Sequence, residues 1–111
     1  MNMLRWLTGR FSNREKALSL YRRGMERSKK HEHEGAIDDY TTAIAISGIP
    51  ADVKAMALYN RALVYAATGD DPKATADIDI ILEMNDAPPN IKAEARRKLV
   101  RIQRGSDLNG K

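Results

Sequence analysis

A repeat of 38 residues constrains this 111-residue chain more than any other feature of it. Pro50-Ala51-Asp52-Val53-Lys54-Ala55 returns as Pro88-Pro89-Asn90-Ile91-Lys92-Ala93, and Lys16-Ala17 opens an earlier copy at the same interval. A second set of landmarks keeps the same register: Gly24 is followed by Ala36, Tyr40 and Ala43, and Ala62 by Ala74, Ile78 and Ile81. Repeats of this length cannot each bury their own apolar face, so stacked supersecondary units are expected to share one continuous core.

The spacing within each copy is helical. Ala17, Leu20, Tyr21, Gly24 and Met25 recur at intervals of three and four, predicting a helix over 13–30. The loop His31-Glu32-His33-Glu34 follows, then a stripe of Ala36, Ile37, Tyr40, Ala43 and Ile44 that Ser47-Gly48 and Pro50 end. The second copy places Ala55, Leu58, Tyr59, Ala62, Leu63 and Tyr65 on one helix. Gly69-Asp70-Asp71-Pro72 forms its turn, cap and N1 proline, and Ala74, Ile78, Ile81 and Leu82 mark the next helix. A last helix spans 90–104, with Ile91, Ala95, Leu99 and Ile102 on its apolar side, leaving 105–111 as a loose tail. The small residues Gly24 and Ala62 are expected to face Ala36 and Ala74, letting paired helix axes approach closely.

Leu58-Tyr59-Asn60-Arg61-Ala62, Tyr65, Gly69-Asp70, Ala74, Asp77 and Leu82-Glu83-Met84-Asn85 fall in an order that resembles the tetratricopeptide repeat. The resemblance covers about three quarters of the chain: two units, 17–48 and 55–86, and a closing helix. Departures are Leu20 and Leu58 at the family's early Trp, Arg23 and Arg61 at a helical Leu, and Ile78 at a usual aromatic. Four extra residues also precede each later first helix, as one added turn or loop. The resemblance implies an all-α solenoid of about five helices over 13–104, after an apolar and basic segment at 1–12. It also implies that the first helices form a concave face that holds a peptide or partner helix. In this register that face takes Tyr21, Arg22, Met25 and Lys29 from the first unit, Tyr59, Asn60 and Leu63 from the second, and Arg97, Lys98 and Arg101 from the closing helix. A subfamily that clamps the carboxylate terminus of heat-shock chaperones uses two Asn, two Lys and one Arg. Only Asn60 matches that set; Tyr21, Met25, Glu94 and Lys98 stand at the other positions.

Charge is arranged in blocks beneath a net +4: residues 1–30 carry +7, 31–91 carry −8 and 92–111 carry +5. On successive helices such blocks become stripes, suiting an acidic partner at the ends and a basic one between; solvated faces that keep short helices apart are the plainer reading. The basic ends raise nucleic acid as a class, but no aromatic-rich RNA motif or zinc finger accompanies them and the central block repels phosphate, which disfavours it. The expected partner is another protein or peptide, acidic with one or two apolar anchors; a homodimer is the alternative.

Enzymatic chemistry finds no purchase. His31-x-His33 lacks the i, i+4 spacing that puts two ligands on one helical face, so neither metal nor cofactor is expected. Asp70-Asp71 reads as a cap with N-terminal charge, and Asp77-x-Asp79 as solvent-facing helix. No Ser has a His and acid at a workable spacing, and the glycines make no phosphate loop. The absence of Cys is compatible with the cytoplasm. Residues 1–11 hold the only Trp and the only Phe, Trp6 and Phe11, broken by Arg5, Gly9 and Arg10. They are too short for a transmembrane span and unlike a signal peptide. A helix packed on the solenoid, a disordered tail and a membrane-surface anchor stay open for them. Ser12-Asn13-Arg14-Glu15 has the form of a capping box starting the first helix beyond them.

Overall fold

A computed structural model describes residues 12–109. Five helices follow one another: α1 (Asn13–Lys29), α2 (His33–Ile44), α3 (Ala51–Ala67), α4 (Asp71–Glu83) and α5 (Pro89–Asn109). No strand occurs among the described residues. Residues 1–11, for which three readings were open, lie outside them.

Local chemistry explains most of the boundaries. The Ser12 hydroxyl accepts from the Glu15 N–H at 3.0 Å while the Glu15 carboxylate accepts from the Ser12 N–H at 2.8 Å, the reciprocal cap expected from the sequence. After α1 the chain reverses through His31, which holds φ +61°, so α2 already starts at His33. His33 and Glu34 are therefore helical, whereas the periodicity, which first registers at Ala36, suggested a loop. Gly48 and Gly69 take φ +71° and +87° in the next two turns, where a side chain would be strained. Asp70 caps α4 by accepting from the Lys73 N–H, and Pro72 occupies the first turn at its second position, one later than expected.

The four extra residues before each later first helix are helical turns. α3 begins at Ala51, directly after Pro50, and its Val53 is fully buried; α5 begins likewise at Pro89. At its other end α5 continues through Gly105 to Asn109, five residues past the expected stop. A single helical Gly costs only about 1 kcal/mol relative to Ala and leaves the hydrogen-bond ladder intact.

Each helix packs on the next in sequence, and α3 also touches α1 and α5. The central helix is accordingly buried on two sides. Ala55, Leu58 and Ala62 join Ala74, Ile78 and Ile81 of α4, Ala87 and Ala95 in one cluster, while Ala57 and Val64 join Ala36 and Tyr40 of α2 in another. Ala62 and Ala74 thus share a core, as expected. Gly24 has a different neighbour: a methyl group built on it would stand 2.6 Å from Cε1 of Tyr40, and its nearest contacts are all in that ring rather than at Ala36. The two units solve the same packing problem in two ways, Gly24 against Tyr40 in the first and Ala62 in the cluster with Ile78 in the second. Where the facing side chain is an aromatic ring, the small residue loses its methyl.

Candidate functional site

Contact of α1 and α5 with α3 brings part of the expected concave set together. Tyr21 and Asn60 meet across the units: the Asn60 side-chain amide donates to the Tyr21 hydroxyl at 3.1 Å and to the Met56 carbonyl at 2.9 Å. Both amide hydrogens are thereby committed, so the Asn60 carbonyl oxygen is what it can offer a ligand. Tyr21 is half-buried, its ring 6.0 Å from that of Tyr40, and burial raises its pKa, partly offset by the bond from Asn60. Met25 packs beside it against the Ala36–Tyr40 cluster.

Tyr59 stands at the junction with α5. Burial raises its pKa first; the charge of Glu94 adds to the rise, and Arg101 and Arg97 oppose it, which puts all three α5 residues within electrostatic reach of the phenol. Arg97 is bound to Glu94 at 2.7 Å, both side chains well exposed, while Arg101 is exposed and makes no ion pair with a described residue. Arg22 is exposed, Leu63 and Lys98 are half-buried, and Lys29 lies at the end of α1, 3.8 Å from Glu26. Among the described residues, no hydrogen bond or ion pair ties these four to the Tyr21–Asn60 pair or to Tyr59. Tyr21, Met25 and Asn60 thus gather beside the Ala36–Tyr40 cluster, and Tyr59 gathers with Glu94, Arg97 and Arg101 on the α5 side.

Searches for similar proteins returned nothing: no family model, no curated protein and no solved structure matches the chain.

Two buried carboxylates escaped the sequence reading. Asp77, expected to face solvent, is only 3% exposed, and Arg61 grips it with two bonds, Nε to Oδ2 at 2.9 Å and Nη2 to Oδ1 at 2.7 Å. Asp39, also 3% exposed, receives Arg23 in the same two-pronged way at 3.0 and 2.8 Å, with Arg27 adding longer bonds. An aspartate that sits on a helix's inner side must be paired, because an uncompensated buried charge costs several kcal/mol. The signal was available: Arg23 returns as Arg61 and Asp39 as Asp77, each at 38 residues. These arginines stand where the resemblance expects Leu, so the register identified the position but not the ion pair. Arg61 additionally donates to the Thr41 hydroxyl at 2.9 Å, tying α3 to α2, and its guanidinium lies 5.7 Å from the Tyr65 ring. Between α1 and α3, Arg14 bonds both oxygens of Asp52 at 3.1 Å; that bond is the main cause of the lowered Asp52 pKa.

His31 and His33 bring their rings to 5.9 Å. Among the described residues no group of three or more His, Cys, Asp or Glu could hold a metal ion, and no helix is long and apolar enough to cross a membrane. A concavity of about 390 Å³ lies between the α2–α3 connection and the end of α4, lined by residues including Ile44, Ile49, Lys54, Met84 and Asp86.

Proposed function

We propose that this chain is a tetratricopeptide-like helical module that binds another protein, serving as adaptor, scaffold or assembly factor without catalysis of its own. In this reading α1–α2 and α3–α4 are two repeats of a short solenoid, α5 closes it, and the first helices hold a peptide or partner helix on their shared face. The observation that carries the reading is the bond between Tyr21 and Asn60 across the two units, continued on the far side of α3 by Tyr59 beside Arg97 and Arg101. Aromatic and Met side chains give adaptable contact area, and arginine suits carboxylates through paired N–H donors. An acidic segment with one or two apolar anchors is the fitting occupant. A cytoplasmic setting accompanies this role, since its chemistry needs no disulfide.

The test is fluorescence polarisation with a labelled library of Asp- and Glu-rich peptides carrying one Leu or Phe. The native protein is expected to select a subset, and Arg97→Glu with Arg101→Glu is expected to abolish the selection while circular dichroism stays unchanged. Selection that survives both reversals would show that the wrong face has been chosen.

A further inference from the structure

Of the described residues, three large hydrophobic side chains are strongly exposed, and all three lie on the last two helices: Ile80 at 41%, Val100 at 42% and Leu108 at 85%. Two of them have oppositely charged surroundings. On α4, Asp79 and Glu83 are one turn apart and exposed, and Ile80 shares their outward side. On α5, Arg96, Val100 and Arg104 stand four residues apart in a single outward line about 12 Å long. Val100 and the arginines line a shallow depression of about 290 Å³ with a mainly apolar floor. Asp79, Glu83, Arg96 and Arg104 make no ion pair with any described residue.

We propose that the outward face of α5 docks on the outward face of α4 of a second copy, Val100 meeting Ile80 while Arg96 and Arg104 meet Asp79 and Glu83. The two faces cannot meet within one molecule, because α4 and α5 already pack together through Ile78, Ile81 and Ala95, which lie on the sides opposite these stripes. Charge decides the pairing. Arginine lines would oppose each other if α5 met α5, and α1, with Arg22, Arg23 and Arg27, is basic as well, whereas the chain itself carries the matching acidic stripe on α4. Two turns of helix bury less than a standard interface, so one such contact gives weak, concentration-dependent and salt-sensitive association. Arg96, Val100 and Arg104 are not members of the set assigned to peptide binding, although Arg97 and Arg101 of that set line the same depression.

Multi-angle light scattering and sedimentation velocity of the whole chain, from micromolar to millimolar concentration at low salt, test it. The weight-average mass is expected to rise above that of the monomer and to return to it on adding salt. Val100→Asp is expected to stay monomeric, as are Arg96→Glu/Arg104→Glu and Asp79→Lys/Glu83→Lys each by itself, since every contact then opposes like charges. Mixing those two reversal variants is expected to restore the larger mass, because each supplies the face that the other lacks; so is combining all four substitutions in one chain. A monomer at every concentration would overturn the proposal, and so would an association that survives Val100→Asp or a mixture that stays monomeric. Peptide selection is read on Asp79→Lys/Glu83→Lys, whose changes lie on α4 away from the depression that Arg97 and Arg101 share, and is unaffected if only this contact is lost.

Discussion

Substituting Gly24 by Ala probes the close approach of α1 to the Tyr40 ring. The new methyl would lie 2.6 Å from Cε1 and 2.9 Å from Cδ1 of Tyr40, about 1 Å inside ordinary carbon–carbon contact. Tyr40 is fully buried, so its ring cannot swing toward water to make room. Overpacking of this kind costs about 1–3 kcal/mol, against a gain of about 1 kcal/mol for replacing a helical Gly. The net expectation is a destabilisation of about 1 kcal/mol, which in a domain of this size lowers the melting temperature by about 4–8 °C. Tyr40→Ile alone opens a cavity and is expected to cost about 3 kcal/mol. Together the two changes install the Ala and Ile that the second unit uses at Ala62 and Ile78, so the double variant is expected to recover at least about 1 kcal/mol relative to the sum of the singles. Urea unfolding followed by circular dichroism gives the three differences directly, provided the m-values agree. Costs that simply add, within about 0.5 kcal/mol, would refute the claim that the small residue answers the ring.

In the second unit, Ala62→Leu or Ala74→Leu is expected to cost about 1–3 kcal/mol by overpacking, and an unmoved thermal midpoint would count against close helix packing there. Asp77→Asn is expected to destabilise by about 2–3 kcal/mol, more than Asp39→Asn, because Arg61 is held mostly out of water whereas Arg23 and Arg27 can turn toward it; equal losses in urea would contradict this ordering. Burial, followed by the charges of Tyr21 and Asp39, pushes the Tyr40 phenol up to about 12. Its folded pKa lies above the unfolded value of about 10, so the stabilisation is complete below pH ~10 and is lost as pH rises through ~12, amounting to about 2–3 kcal/mol. Tyr40→Phe is expected to flatten that alkaline decline, and melts whose slope between pH ~10 and ~12 ignores the substitution would exclude Tyr40 as its source.

The helices were legible in the sequence because each is written in apolar spacing and local punctuation. The Ser12–Glu15 cap and the turns at Gly48 and Gly69 depend on neighbours within a few positions, and free-energy preferences of that range survive in any fold. Boundaries failed where the punctuation was silent. His33 and Glu34 carry no start signal, and Gly105 looked like a stop although the helix passes through it.

The candidate site was half legible. A register projected from the repeat named Tyr21, Asn60, Tyr59, Arg97 and Arg101, and these do gather around α3. It could not say that Asn60 spends its donors on Tyr21 and Met56, or that Glu94 holds Arg97, since both depend on where side chains end.

By itself, then, the sequence determined an all-helical chain of five elements with a repeated apolar face, because helical period and caps are properties of adjacent residues. Only the tertiary structure decided which charges were interior. Asp39 and Asp77 look like any helical aspartate until α1 and α3 bring Arg23 and Arg61 alongside them across 16 residues of chain. Whether a polar group is paired or solvated is set by what the neighbouring helix presents, and that partner is chosen by packing, not by local sequence.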